Sequence, residues 1–282
     1  MLFRSASEDS TAKIWDAQTG QRLANLKGHK EEINSAIFSP DGKKIVTASD
    51  DETAKIWDAQ RGQLLVDLKG HTAWVRNAVF SPDGEKIVTD SWGGNAGIWD
   101  ARSGKLLANL PVFTRDFQPV FSPDGKKIVT ASLDKTAKIW DSETGKLLAD
   151  LKGHKDMVNL AVFSPDSKKI LTASSDKSAK IWDAQTGQLI KDLEGHFGEV
   201  YSAVFSPDGK KIVTASEDKI AKIWNAQTGQ LLVDLKGHAN VVNSAVFSPD
   251  GNRILTASSD STARIWDGQS GKFIADLKCY KY

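Results

Sequence analysis

Residues 28–69 read GHKEEINSAIFSPDGKKIVTASDDETAKIWDAQRGQLLVDLK, and this stretch decides the architecture because the chain repeats it. Its Ile-Trp-Asp recurs, once as Ile-Trp-Asn, with tryptophans at Trp15, Trp57, Trp99, Trp140, Trp182, Trp224 and Trp266, at spacings of 42, 42, 41, 42, 42 and 42 residues. Phe-Ser-Pro-Asp begins at Phe38, Phe80, Phe121, Phe163, Phe205 and Phe247, and Gly-His ends at His29, His71, His154, His196 and His238. Each repeat contains four short apolar runs, in the quoted copy Ile33 to Phe38, Lys44 to Ser49, Thr53 to Trp57 and Gln63 to Leu68. Ser39-Pro40-Asp41-Gly42 has proline where a type I turn wants a preset φ and glycine at the fourth place, and Gly62 suits the positive φ of the next hairpin. Strands punctuated by turns every eight to twelve residues or so predict an all-β protein. Ile45, Val46, Leu65 and Val66 put apolar groups on both faces of their strands, so each sheet needs a neighbour on either side. A ring or stack of such sheets buries what one sheet alone leaves wet.

A period of this length carrying both Gly-His and Trp-Asp marks propeller blades. The chain therefore resembles the WD-repeat family along essentially its whole length, and among them recently amplified bacterial WD-repeat arrays. The resemblance implies a seven-bladed WD-repeat β-propeller, read as a single domain over residues 1–282. The start aligns with the second strand of a blade, so six complete four-stranded blades are expected plus an N-terminal blade lacking its innermost strand, 27 strands in all. An unpaired strand edge invites pairing, so self-association through the first blade is one expectation, and membership of a longer multidomain protein another.

The resemblance further implies a His-Ser-Asp-Trp hydrogen-bonded tetrad within blades. The matching sets are His29, Ser49, Asp51 and Trp57; His154, Ser174, Asp176 and Trp182; His196, Ser216, Asp218 and Trp224; and His238, Ser258, Asp260 and Trp266. Such a network satisfies the indole N–H and fixes the imidazole tautomer. It also absorbs every histidine into a structural role, and paired carboxylates such as Asp50-Asp51 and Glu217-Asp218 recur with the blade period as turn residues. Phosphate-loop glycines, HExxH, CxxC and the Gly-x-Ser-x-Gly elbow are all missing from the sequence, so no catalytic residue, cofactor or metal is expected.

Thirty-seven basic residues face 36 acidic ones, which argues against nucleic acid as partner. Lys43-Lys44, Lys126-Lys127, Lys168-Lys169 and Lys210-Lys211 follow the Pro-Asp turns and read as solvated turn residues. The only cysteine, Cys279, suits a reducing compartment, so a cytoplasmic location is expected. The longest apolar runs fall far short of a membrane span.

The informative places in so regular an array are its breaks. The third repeat reads Thr-Asp-Ser-Trp-Gly-Gly-Asn-Ala-Gly-Ile-Trp, with Asp90 for alanine, Gly93 for the tetrad aspartate and Gly97 for lysine. The fourth is one residue short and has Leu110-Pro111-Val112-Phe113 for Leu-Lys-Gly-His. By the resemblance, partner-facing residues lie just before and just inside the innermost strand and just before the turn aspartate. On that basis Trp74, Arg76, Trp92, Asp116, Gln118, Leu133, Met157 and Tyr201 are the candidate partner-binding residues, with Glu32, Asp50, Glu199 and Glu217 giving other sectors acidic character. Trp, Tyr and Arg are the side chains in which binding energy concentrates, so the expected function is a non-catalytic scaffold or sensor platform for proteins or peptides. The competing reading, an enzyme at the channel mouth, would have to use Asp90, Asp116 and Arg76. Asp166-Ser167, with serine for the turn glycine, is expected to cost about 1 kcal/mol if the turn needs positive φ.

Overall fold

A computed structural model describes residues 2–7, 9–92, 94–112 and 118–278. Among these the chain is strand and turn only, with 27 strands in seven antiparallel sheets. The first sheet has three strands, β1 (Leu2–Ala6), β2 (Thr11–Asp16) and β3 (Arg22–Lys27), in the order β1-β2-β3. The second has four, β4 (Ile33–Phe38), β5 (Lys44–Ser49), β6 (Thr53–Asp58) and β7 (Leu64–Lys69), again in chain order. The other five repeat that meander, as the sequence predicts, with one short member: the innermost strand of the fourth blade is Val120–Phe121. This is the strand content of a seven-bladed WD-repeat β-propeller with an incomplete first blade.

The punctuation forms as the residues dictate. Gly42 N–H donates to the Ser39 carbonyl at 2.8 Å, while the Ser39 hydroxyl donates to Asp41 at 2.6 Å and accepts from Lys44 N–H at 2.9 Å. The aspartate, once asparagine, after the tryptophan of each Ile-Trp turns the next hairpin, Asp58 Oδ1 accepting from the amides of Gln60 and Arg61 at 2.9 and 2.6 Å. Ser167 adopts φ 61°, the left-handed conformation that its glycine counterparts such as Gly42 adopt at φ 69°.

The chain divides into two compact units, Met1–Ile128 with Trp140–Leu148, and Val129–Ile139 with Ala149–Tyr282. In each, the core is a series of blade-to-blade junctions. In the first unit, Ala12, Ile14 and Leu26 of the first blade pack on Ile33, Ile45, Trp57 and Ala59 of the second. The opposite face of the second blade, with Val46, Ile56 and Leu68, packs on Val75, Ile87 and Trp99 of the third. Adjacent residues Ile45 and Val46 thus serve opposite neighbours, which is why both are apolar. The second unit repeats the arrangement, Leu171, Ile181 and Leu193 against Val200, Ile212 and Trp224. The outermost strand departs from the expected two-faced burial. Leu64 and Leu65 are 46% and 48% exposed and only Leu68 is fully covered, because the strand lies at the periphery and meets a neighbour at one end alone.

Candidate functional site

Inside five of the blades a polar network locks the buried tryptophan, and its membership corrects the sequence reading. In the second blade His29 Nδ1 lies 2.9 Å from Asp51 Oδ2, His29 Nε2 lies 2.7 Å from Thr47 Oγ1, and Trp57 Nε1 donates to the same hydroxyl at 2.8 Å. The hydroxyl between imidazole and indole is therefore Thr47, not Ser49. Ser49 points to the same face but sits at the strand end, where it accepts from Asp51 N–H at 3.2 Å and donates to the Glu31 carbonyl at 3.2 Å. The same exchange holds in the other sets. Thr172 takes the place expected for Ser174 between His154 and Trp182, Thr214 that of Ser216 between His196 and Trp224, and Thr256 that of Ser258 between His238 and Trp266. The aspartates Asp176, Asp218 and Asp260 hold their histidines at 2.8, 2.7 and 2.8 Å. Burial opposes ionisation of Asp51, yet hydrogen bonds from Thr53, Lys30 N–H and His29 hold its carboxyl below the usual range.

A second network lies beside the first. Lys55 is 5% exposed and donates to Asp67 at 2.7 Å across to the outermost strand. Lys222 pairs with Asp234 at 2.6 Å, Lys180 with Asp192, and Arg264 with Asp276 at 3.0 Å. In the first and fourth blades, whose sequences lack the tetrad histidine, Lys13 and Lys138 reach the turn aspartates Asp9 and Asp134 at 2.9 and 2.7 Å.

The third blade lacks both anionic partners. His71 keeps its bond to Thr89 at 2.6 Å, and Trp99 donates to Thr89 at 2.7 Å, but Gly93 stands where Asp51 stands in the second blade. Desolvation then lowers the His71 pKa to about 4. Below its unfolded pKa of about 6.5 the unfolded chain takes up a proton that the native imidazole refuses, so stability falls as pH drops from about 6.5 toward 4. With allowance for partial exposure the loss is about 2 kcal/mol. Gly93→Asp is expected to raise the His71 pKa, as read by NMR titration of its ring; an unchanged titration would refute this account of the lost carboxylate.

On the rim, five of the innermost strands carry a β-bulge at their second residue. Ile33 pairs with Ser49 and Ser35 with Ala48, so Asn34 is the extra residue; Arg76, Asn159, Tyr201 and Asn243 hold the same place. A bulge re-aims its side chain. Asn34 uses it to donate to Asp50 at 2.6 Å and to the Val75 carbonyl of the next blade at 3.0 Å, and Asn159 donates likewise to the Val200 carbonyl at 2.9 Å.

Arg76 uses it differently. Its guanidinium donates to Asn34 Oδ1 at 2.9 Å, lies 4.0 Å from Asp50, and sits 5.5 and 5.0 Å from the ring centroids of Trp74 and Trp92. Those rings meet edge to face at 5.7 Å, and their backbones are tied by Trp92 N–H to the Trp74 carbonyl at 2.9 Å. Trp74 and Trp92 remain 48% and 45% exposed. With Glu52, Thr72 and Ala73 they line a cavity of about 370 Å³. Three sequence-predicted residues are thereby brought together.

The remaining candidates do not join them in one described cluster. Gln118 is exposed and Asp116 lies outside the described residues. Leu133, Met157 and Tyr201 belong to the second unit, Leu133 half-buried and Met157 37% exposed. Burial, then the carboxylates of Glu199 and Glu217, push the Tyr201 phenol up. Asp90 is buried within its strand, 1% exposed. Two of the lysines after these turns brace neighbouring blades, Lys86 Nζ meeting Glu143 at 2.6 Å and Lys211 Nζ the Gly268 carbonyl at 2.9 Å. Two exposed residues escaped the sequence reading. Glu52 lines the tryptophan cavity, and Phe197 is 82% exposed. Phe197 was findable, since lysine, threonine or alanine follows the histidine in the other repeats. Among the described residues no group of histidine, cysteine, aspartate or glutamate is arranged to hold a metal ion, and no helix is long and apolar enough to cross a membrane.

Comparison with known proteins agrees with this geometry. The computationally designed protein Ika8 superposes with a TM-score of 0.86 at 30% identity, over 98% of this chain and 83% of that one. WD40 repeat-containing protein HOS15 of Arabidopsis thaliana is 47% identical over 45 residues, and Coronin-7 of Mus musculus 46% identical over 46 residues, each match covering 16% of this chain and only 7% and 5% of those proteins. F-box-like/WD repeat-containing protein TBL1X of Mus musculus is 44% identical over 43 residues, 15% of this chain and 8% of that protein. The family model described as WD domain, G-beta repeat matches residues 20–58, 62–100, 115–141, 145–183, 187–225 and 229–267. With six matches spread over most of its length and the strand pattern to go with them, the chain belongs to the WD domain, G-beta repeat family.

Proposed function

We propose that this chain is a non-catalytic platform that binds a partner protein or peptide on its rim, with Trp74, Arg76 and Trp92 as the anchor. The observation that carries the reading is that two half-exposed tryptophans are stacked with an arginine already ordered by Asn34 and Asp50. Large rings held rigid before binding lose little entropy on association, and Trp and Arg dominate measured hot spots. Glu52 at the cavity edge adds a carboxylate that would favour a basic group on the partner. Gln118, Met157, Leu133 and Tyr201 stand as further partner-facing positions, with Asp116 by sequence position. The histidines support the non-catalytic reading because threonine holds all five, and aspartate four of them, inside the blades. One cysteine in the sequence suits work in a reducing compartment such as the cytoplasm.

Affinity capture from native lysate tests this with wild type beside a Trp74→Ala, Arg76→Ala, Trp92→Ala variant of equal thermal stability. A partner held by wild type is expected to bind the variant more than about 30-fold more weakly, since each hot-spot truncation is worth about 2 kcal/mol or more. Equal retention of every captured protein would remove the cluster from consideration.

A further inference from the structure

Glu52 is the residue after the turn aspartate of the second blade and adopts the left-handed conformation at φ 66°. The same place in the other blades holds Ser10, Gly94, Lys135, Lys177, Lys219 or Ser261, all with positive φ between 61° and 79°. Among these equivalent places Glu52 is the one acid, where three blades have lysine. Thr72, on the other side of the seam, stands where the second and fifth blades have Lys30 and Lys155. Trp74 and Trp92 are the only tryptophans outside the Ile-Trp positions. The one acid at its place and the one pair of rim tryptophans thus meet at a single seam, from which the lysines found elsewhere are missing.

The cavity that Glu52, Thr72, Ala73, Trp74 and Trp92 line, about 370 Å³, is therefore walled by indole rings and one carboxylate. Arg76 lies against both rings, but its charge faces Asp50 at 4.0 Å and it donates to Asn34 at 2.9 Å, so the charged group of the cavity itself is Glu52. Glu52 is exposed and enters no ion pair among the described residues. The complement to such a cavity is a cation with a flat apolar face. A guanidinium is planar, stacks on aromatic rings and meets a carboxylate with two parallel N–H groups, whereas an ammonium is a compact and strongly hydrated point charge. These rings already accept one guanidinium from inside the protein, with Arg76 at 5.5 and 5.0 Å from their centroids. A cavity of this size is at the small end of ligand sites and has room for one long side chain, not for a folded segment.

We infer that this cavity receives a single arginine side chain of the partner, its guanidinium against the indoles of Trp74 and Trp92 and paired with the Glu52 carboxylate. Glu52 is then the residue that selects the partner. This rests on the Trp74, Arg76 and Trp92 cluster being the rim anchor, and it adds the identity of the group the anchor holds.

Three blocked tripeptides, glycine-arginine-glycine and its lysine and citrulline counterparts, test it by NMR titration followed at the indole N–H signals of Trp74 and Trp92, assigned with Trp74→Phe and Trp92→Phe. The arginine peptide is expected to shift both signals to saturation. The lysine peptide is expected to bind about fivefold more weakly, and the citrulline peptide, which keeps the shape and loses the charge, about tenfold more weakly or less. Glu52→Lys is expected to abolish binding of the arginine peptide and to leave the fold intact, since Lys135, Lys177 and Lys219 hold the equivalent place at φ 71°, 73° and 70°. Absence of any shift with the arginine peptide overturns the assignment, as does equal binding of either counterpart or undiminished binding to Glu52→Lys. Affinity capture separates this from the anchor reading. A partner lost by the triple alanine variant but retained by Glu52→Lys overturns the arginine assignment and leaves the anchor in place, whereas a partner retained by both removes the anchor and the assignment together.

Discussion

Thr214→Val is expected to lower stability by about 2–4 kcal/mol, while Ser216→Ala, two residues along the same strand, costs no more than about 1 kcal/mol. The threonine hydroxyl lies 2.7 Å from His196 Nε2 and accepts from Trp224 Nε1 at 2.9 Å. Valine keeps the shape and removes both partners at once. The indole of Trp224, 1% exposed, and the imidazole of His196, 7% exposed, then hold polar atoms that water cannot reach. Each stranded group costs about 1–3 kcal/mol. Ser216 bonds only the Asp218 amide and the Gly198 carbonyl, both at 3.1 Å near the rim. Urea unfolding of the two variants reads the difference as a shift in midpoint. Equal midpoints would mean that the threonine does not bridge the ring pair.

Removing a carboxylate from the neighbouring ion pair is expected to be as damaging. Asp234→Ala leaves the Lys222 ammonium, on a residue 4% exposed, without its partner at 2.6 Å. Breaking a buried pair from one side costs about 3 kcal/mol, because the remaining charge stays desolvated. Replacing both partners, Lys222→Met with Asp234→Leu, is expected to fall within about 1 kcal/mol of wild type, since an apolar pair of similar volume needs no solvation. The third blade already does without the pair, having Gly97 and Asn109 at those places. Equilibrium unfolding of the single and double variants decides the matter. A double variant as unstable as the single one would show that the loss is in packing, not in the stranded charge.

The blades were legible because a 42-residue period exposes every strand several times over, so in the second blade the strand ends fall within a residue of expectation, while the innermost strand of the fourth, where the repeat breaks, is cut to Val120–Phe121. The tetrad was legible in its histidine, aspartate and tryptophan but not in its hydroxyl. Thr47 and Ser49 share a strand face and both recur with the period, so repetition cannot separate them; only the register, with Ile45 opposite Trp57 and Ala48 opposite Ala54, places Thr47 under the indole. The lysine–aspartate pairs were written in the sequence at a constant separation, Lys55 with Asp67 through Lys222 with Asp234, and are lost together at Gly97 and Asn109. The Trp74, Arg76 and Trp92 cluster was found because it breaks the repeat. Its geometry was not legible, because a bulge and an inter-blade bond to Asn34 set where Arg76 points.

Ile45 facing one neighbour and Val46 the other has a consequence for how such an array can change in length. Because both halves of every seam are encoded within each 42-residue segment, inserting or deleting whole segments in frame leaves all remaining seams matched. Copy number is therefore free to vary without any compensating substitution. A change of one residue inside a strand would instead flip its side chains to the wrong neighbour. The single 41-residue spacing respects that restriction: Thr130 precedes Trp140 by the same interval as Thr47 precedes Trp57, so the deletion is absorbed outside the two strands that carry them.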